Sequence, residues 1–315
     1  MSTEDQLANE ARPAAALNDT KPLHVGKPAW LKTAIPTGGT YFQIKKDLRE
    51  RKLYTVCEEA KCPNISQCWS QRTATFMVLG DTCTRACRFC NVKTGNPGGW
   101  LDPHEPDQTA ESAKAMGLNY AVITMVDRDD LPDGGAAHVG RVIHRVRELS
   151  PHIKIEILAG DFAAQDHCLQ TLLAAKPEVF AHNLETVERL TPRVRDARAG
   201  YLQSLKVLRR VRELADYRVY TKSALMLGLG ETLAEVETTL ADMREYGVEF
   251  VTIGQYMRPT KKHLSIKRWV PPEEFDEIAA KARAMGFLSV VSGPLVRSSY
   301  RAAEFFTAAT SGEKA

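Results

Sequence analysis

Short apolar runs alternate along this chain with longer stretches whose apolar residues recur every three or four positions. Runs at 74–79, 119–124, 153–158, 178–182, 219–227 and 249–255 have strand length and β-rich composition. Between them, 107–116, 136–149, 163–175, 200–214 and 232–246 carry helical periodicity, and 272–285 follows the last run. That alternation predicts βα units around a parallel sheet. Six units are too few for a closed eight-stranded barrel, so the predicted fold class is α/β, a partial TIM barrel of the (β/α)6 kind. Leu288-Ser289-Val290-Val291 is a candidate extra strand beside it. In such barrels the chemistry sits on loops after the C-terminal ends of strands.

Upstream, residues 1–29 lack a period and read as a flexible tail, and 41–53 as a polar, Lys/Arg-rich helix. At 315 residues and 35.0 kDa the chain can bury one large core. A net charge of +3 with mixed signs gives no strong basic face and argues against nucleic acid. No apolar run approaches the ~20 residues of a membrane span. Met1-Ser2-Thr3-Glu4-Asp5 opens neither a secretory nor an Arg-rich transit pattern, so the expected location is cytoplasmic. In a reducing compartment, seven clustered cysteines argue for metal rather than disulfides. Zinc sites usually close with four ligands in paired CxxC units, a form that neither cysteine cluster has. Cys168 stands alone in a helical stretch and is expected to pack as a small hydrophobe.

The other six cysteines form two triads. Cys83, Cys87 and Cys90 follow the first strand as CxxxCxxC. Three thiolates in one tight loop can hold three corners of a cubane, whereas an electron-transfer [4Fe–4S] cluster normally takes four. An iron without a protein ligand leaves room for substrate, as in catalytic metal sites. Cys57, Cys62 and Cys68 lie just upstream, spaced x4 then x5. After strand two comes an acidic loop, Asp127 to Gly135. Its twelfth position is His138 rather than Glu, which argues against an EF-hand; a solvated turn and a ligand loop both remain open. Asn183 and Glu185 close strand four with an amide and a carboxylate suited to ribose hydroxyls or to capping the strand end. Gly228-Leu229-Gly230 lacks the third glycine of a dinucleotide fingerprint, but permits close backbone approach to a ligand.

The first triad resembles the signature of radical S-adenosylmethionine enzymes. Both triads, together with Val126–Gly135, Asn183–Thr186, Leu225–Thr232, Thr252–Tyr256 and Arg297-Ser298-Ser299-Tyr300, resemble the lipoyl synthase family from about Trp30 to Ala302. The resemblance implies insertion of two sulfur atoms, at C6 and C8 of an octanoyl chain amide-linked to a carrier lysine. It implies two [4Fe–4S] clusters and S-adenosylmethionine as cofactors. Unactivated C–H bonds offer a general base no acidity, so a cofactor radical must cleave them. Cys83, Cys87 and Cys90 would hold the cluster that generates a 5′-deoxyadenosyl radical, and Cys57, Cys62 and Cys68 an auxiliary cluster consumed as sulfur donor. In that family a serine of the Arg297–Tyr300 motif completes the auxiliary cluster. Ser299 is the expected ligand, with Ser298 as the alternative, because an alkoxide is a harder ligand than a thiolate and the easier one to release.

The resemblance also makes Asp127, Asn183, Glu185 and Gly228 the expected cofactor contacts. Ala224 stands where the family's strand-five segment commonly has Gly. The partners implied are octanoylated lipoyl carrier domains, namely E2 subunits of 2-oxoacid dehydrogenases and the glycine cleavage H protein. An electron donor such as ferredoxin or flavodoxin and an iron–sulfur carrier for cluster repair complete the set. The expected organisation is a tail at 1–29, an extension at 30–73 carrying the auxiliary cysteines, a core at 74–293 and a C-terminal segment at 294–315. Both extensions are expected over the barrel mouth. A methylthiotransferase acting on tRNA would want an RNA-binding domain, and a plain iron–sulfur carrier would need neither barrel nor open iron.

Overall fold

A strand covered on both faces must be apolar throughout, and the first barrel strand, β1 (Thr75–Val78), is buried at every position. The computed structural model describes residues 26–32, 39–51, 53–59, 62–70 and 75–311. Parallel to β1, in chain order, run β2 (Tyr120–Met125), β3 (Lys154–Leu158), β4 (Val179–Ala181), β5 (Tyr220–Leu227) and β6 (Phe250–Gln255). The extra strand is present as β7 (Ser289–Gly293), parallel to β6. At the opposite edge the short strand Tyr54–Thr55 pairs antiparallel with β1. No pairing joins the two edges among the described residues, so the sheet stays an open partial barrel.

Its outer face is covered by α1 (Glu105–Ala115), α2 (Ala136–Leu149), α3 (Asp166–Leu173), α4 (Tyr201–Leu214), α5 (Leu233–Glu245) and α6 (Pro272–Ala284). Each buries one apolar stripe; in α2 it is Val139, Val142, Ile143 and Val146. A capping box between Thr232 and Glu235 starts α5 where the periodicity begins. The predicted helix 163–175 starts late, because Asp161 caps a 3-10 turn over Phe162–Ala164 with left-handed backbone at Ala163. The polar helix predicted at 41–53 spans Gly39–Glu50. Of the predicted tail, 1–25 lies outside the described residues, and Ala29–Leu31 forms a 3-10 turn that buries Leu31.

Short helices at Val56–Glu59, Ile65–Ser70 and Thr191–Val194 lie outside the predicted ones, and so does the longer α7 (Ala302–Thr310). Its Phe306 packs against Tyr120, Tyr220 and Phe250, the first residues of β2, β5 and β6, and so closes the N-terminal end of the barrel. Just inside that plug, Lys222 Nζ pairs with Glu156 at 2.7 Å, and the Tyr120 hydroxyl donates to Glu156 at 2.8 Å. The extensions are therefore split between the two ends. Val56, Pro63 and Val296 to Ser298 line the mouth cavity, while the last helix seals the far end. No helix among the described residues is long and apolar enough to cross a membrane.

Candidate active site at the barrel mouth

The first cysteine triad leaves β1 through a backbone reversal at Leu79 and Gly80, both at positive φ. Buried charges hold that reversal. Glu105 accepts from the backbone N–H of Leu79 at 2.9 Å and of Gly80 at 3.1 Å, and Arg128 donates to the Leu79 carbonyl at 3.2 Å. Inside the triad loop, buried Arg85 makes a bidentate pair with Asp161 at 2.7 and 2.8 Å and a second pair with Asp129. Burial acts to raise the Asp161 pKa, but the Arg85 hydrogen bonds outweigh it and hold it at about 2. The cysteine loop is thereby tied to the loops after β2 and β3.

These loops enclose one cavity of about 330 Å³, lined by Cys83, Cys87 and Cys90, a size typical of small-molecule sites. Burial pushes the Cys87 thiol up to about 11 and the Cys90 thiol to about 12, and raises that of Cys83. As half-buried thiols with raised pKa they are poor nucleophiles; a bound cation would ionise them. Two backbone N–H groups already point at sulfur, from Arg85 to Cys83 at 3.4 Å and from Asp196 to Cys87 at 3.3 Å. Such bonds tune iron–sulfur sites. Three thiols from one tight loop that line the same cavity are a donor set that fits three corners of a cubane.

Across the cavity, Asp127, Asn183 and Glu185 line the same wall space. Asp127 opens onto the cavity, and desolvation raises its pKa to about 6 against the pull of Arg85. Asn183 donates to Glu185 at 3.0 Å, while its own Oδ1 is buried without a partner. An orphaned acceptor costs about 1–3 kcal/mol, and a ligand hydroxyl would satisfy it. Glu185 sits at φ 69°, a strained backbone of the kind found at functional sites. Gly228 does not line the cavity: a Cβ there would meet Gln255 Nε2 at 2.2 Å and the Arg268 carbonyl at 2.6 Å. Ala224 does line it.

The acidic loop after β2 is absorbed mostly by the protein itself. Asp129 serves Arg85, Asp130 pairs with buried Arg128, and Asp133 bonds the Gly135 and Ala137 N–H groups at the start of α2; of its carboxylates only Asp127 faces the cavity. The sequence reading missed Arg195, a buried cation lining the cavity. Its Nη1 donates to Ser204 at 2.7 Å, and its charge reaches Asp127 and Glu185 across the cavity. It lies in a polar turn with no motif around it, so only the fold reveals it.

The second triad packs where the two extensions meet. Cys57 is buried and its thiol is pushed up to about 11, and Cys68 to about 12, by desolvation; Cys62 is raised by the same cause. Asn64 donates to the Leu295 carbonyl at 2.7 Å, and Tyr300 to Gln67 at 3.4 Å, which binds the C-terminal motif to this triad. Half-buried Arg297 lies close enough to Cys62 for their charges to interact. Ser298 lines the cavity; Ser299 accepts from Thr75 at 2.9 Å. All seven cysteines are free thiols, and Cys168 is packed in the core.

The Radical SAM superfamily model matches residues 77–243, more than half of the chain. Among solved structures, HydG, a maturase of the FeFe-hydrogenase, superposes with a TM-score of 0.54 at 12% identity, over 86% of this chain and 75% of that one. At that identity the likeness concerns the fold alone. Fold, triad and superfamily match together make this a radical S-adenosylmethionine enzyme, with a [4Fe–4S] cluster and S-adenosylmethionine as cofactors. The model of the N-terminal domain of lipoyl synthase matches residues 2–62. Lipoyl synthase of Thermus thermophilus is 52% identical over 290 residues, spanning 92% of this chain and 90% of its own. Mitochondrial lipoyl synthase of Schizosaccharomyces pombe is also 52% identical, over 90% of this chain and 78% of its own. The chain belongs to the lipoyl synthase family of sulfur-inserting enzymes.

Proposed function

We propose that this chain inserts sulfur at C6 and C8 of a carrier-bound octanoyl-lysine from two clusters at the two sides of one cavity. Cys83, Cys87 and Cys90 hold the radical-generating cluster; Cys57, Cys62, Cys68 and Ser299 hold the auxiliary one. The observation that carries this reading is that the first triad, Val56 and Pro63 beside the second triad, and Ser298 of the C-terminal motif line the same cavity. When bound, the first cluster supplies the electron that splits S-adenosylmethionine and the second supplies sulfide.

The chain's own residues do the rest. Asp127 and Arg195 offer opposite charges for the amino and carboxylate groups of the cofactor, and the free Asn183 acceptor with Glu185 takes the ribose hydroxyls. Apolar Met125, Leu158, Met226 and Val296 give the octanoyl chain a dry wall. Gly228 acts indirectly, by letting Gln255 approach so that its Oε1 receives the Val270 N–H at 2.9 Å. The segments 30–73 and 294–315 serve as the auxiliary-cluster extensions of the core at 74–293. A reducing location such as the cytoplasm would keep the cysteines as thiols for cluster loading. Carriers of the E2 and H-protein type, a ferredoxin- or flavodoxin-like reductant and a cluster-repair carrier complete the reading.

The test is a pair of variants on reconstituted enzyme with an octanoyl-lysine peptide. Cys87→Ala should abolish formation of 5′-deoxyadenosine; Cys62→Ala should keep it and lose thiolated product. Thiolated product from Cys62→Ala would overturn the sulfur-donor assignment.

A further inference from the structure

The connection from β6 to α6, residues 256–271, has no regular secondary structure. Loops longer than about 12–15 residues inside compact domains usually carry function. This one is fixed onto the cysteine loop. His263 Nε2 donates to the Cys90 carbonyl at 2.9 Å, and His263 Nδ1 shares a hydrogen bond with the Thr260 hydroxyl at 2.9 Å. The Leu264 N–H donates to the Arg88 carbonyl at 3.3 Å. Arg258 spends its guanidinium on the carbonyls of His263 and Lys261, which locks the turn.

What the turn presents outward is charge. Lys261, Lys262 and Arg88 are exposed, and none has a carboxylate partner among the described residues. Half-exposed arginines such as Arg145 and Arg210 are neutralised instead, Arg145 by Asp107 and Glu148 and Arg210 by Asp166 and Glu213. Between the turn and the cavity stand Met257 and Pro259, which line it. The unpaired cations therefore sit on the rim beside the opening, on a preformed scaffold.

We infer that this rim, Arg88 with Lys261 and Lys262, is the docking surface for the protein that presents the octanoyl-lysine, and that it engages acidic side chains flanking the modified lysine. The inference rests on the functional reading above in one respect, that the acyl arm enters by this opening. A lysine arm inside the cavity leaves its carrier body on the rim, where three unneutralised cations favour a negative face. Rim charges act mainly on encounter and register rather than on the chemistry. A patch of three charges on a chain of net charge +3 is small for RNA, which needs a broad basic track.

The experiment uses reconstituted full-length enzyme, Lys261→Glu/Lys262→Glu, and two substrates: octanoylated glycine cleavage H protein and an uncharged octanoyl-lysine tripeptide. Arg88 is left in place because it lies within the cysteine loop. The KM for the carrier should rise about tenfold, as two exposed ion pairs at their upper strength allow. Its kcat and the tripeptide kinetics should not change. The difference should shrink between about 50 mM and about 500 mM salt, where screening removes exposed charge pairs. Fluorescence anisotropy of labelled octanoylated H protein measures the same affinity without turnover, so the surface can fail while sulfur insertion stands, or the reverse. Unchanged carrier affinity in the double variant, or an equal loss with the tripeptide, would overturn the proposal. So would RNA that bound through these lysines while the carrier ignored them.

Discussion

Replacing Phe306 with Ala should release the C-terminal helix without unfolding the barrel. The ring meets Tyr120 at 5.6 Å, Tyr220 at 5.7 Å edge-on and Phe250 at 6.5 Å. Complete burial of a phenylalanine is worth ~3–5 kcal/mol against alanine. Phe306 is only half-buried, so about 2–3 kcal/mol is the expected loss, part of it from ring pairs at ~0.5–1.5 kcal/mol each. At nine residues, α7 is shorter than a helix that persists alone in water. Its opening free energy should therefore fall by nearly the whole amount. Amide exchange over 302–310 should accelerate roughly 30- to 100-fold, since ~1.4 kcal/mol is tenfold, while strands β3 to β6 keep their protection. Phe306→Leu, which restores apolar volume without the ring pairs, should lose under about 1.5 kcal/mol. Unchanged exchange in α7, or equal acceleration throughout the barrel, would refute the idea that this ring fastens the plug.

His182 donates to the Ala159 carbonyl and accepts from Ser204, and burial lowers its pKa to about 4. An unfolded histidine titrates near 6.5, so between these values the unfolded chain binds the extra proton, and stability falls as pH falls; urea melts should lose about 2 kcal/mol from pH 7.5 to pH 5, a slope that His182→Gln removes. Glu105→Gln puts an amide donor where two backbone N–H groups and His138 converge on a carboxylate, and should cost ~1–3 kcal/mol in the same melts. Asn183→Leu should weaken S-adenosylmethionine binding up to about tenfold by calorimetry, the worth of one good hydrogen bond; unchanged affinity would mean that the orphaned Oδ1 faces no ligand. Ser299→Ala should lose iron from the auxiliary site by metal analysis while the first triad still binds cofactor, and Ser299→Cys should retain the iron but release it more slowly.

The sequence displays its strands and cysteine loops because both are local patterns: an apolar run of strand length, or thiols a few residues apart. Tertiary partners are not local. Glu105 reads as an ordinary acidic residue in the first turn of a helix, where the dipole favours it, yet it is buried beneath the reversal that launches the cysteine loop. The Asp127–Asp133 loop looks like a bed of ligands, but most of its carboxylates are committed to Arg85, Arg128 and a helix start by contacts between distant segments. The segment Ala302–Thr310 offers Phe305 and Phe306 in an alanine-rich stretch too short to show a period, and its meaning lies in three rings from three separate strands.

The two halves of the site differ in how firmly they are held, and the difference suits the proposed chemistry. The first triad hangs from β1 on Glu105 and Arg128 and is locked across the loops by the two-sided grip of Arg85 on Asp129 and Asp161. Breaking the fully buried Arg85–Asp161 pair strands a charge, which costs ~3–5 kcal/mol. The hydrogen bonds that hold the serine motif are neutral instead: Asn64 to Leu295, Thr75 to Ser299 and Tyr300 to Gln67, followed by the plug of a nine-residue helix. Each neutral bond contributes only ~0.5–1.5 kcal/mol. Opening such a segment is a low-energy local event that leaves the core intact. A cluster kept through every turnover belongs on the first kind of mounting, and one that must surrender a ligand to release sulfur belongs on the second.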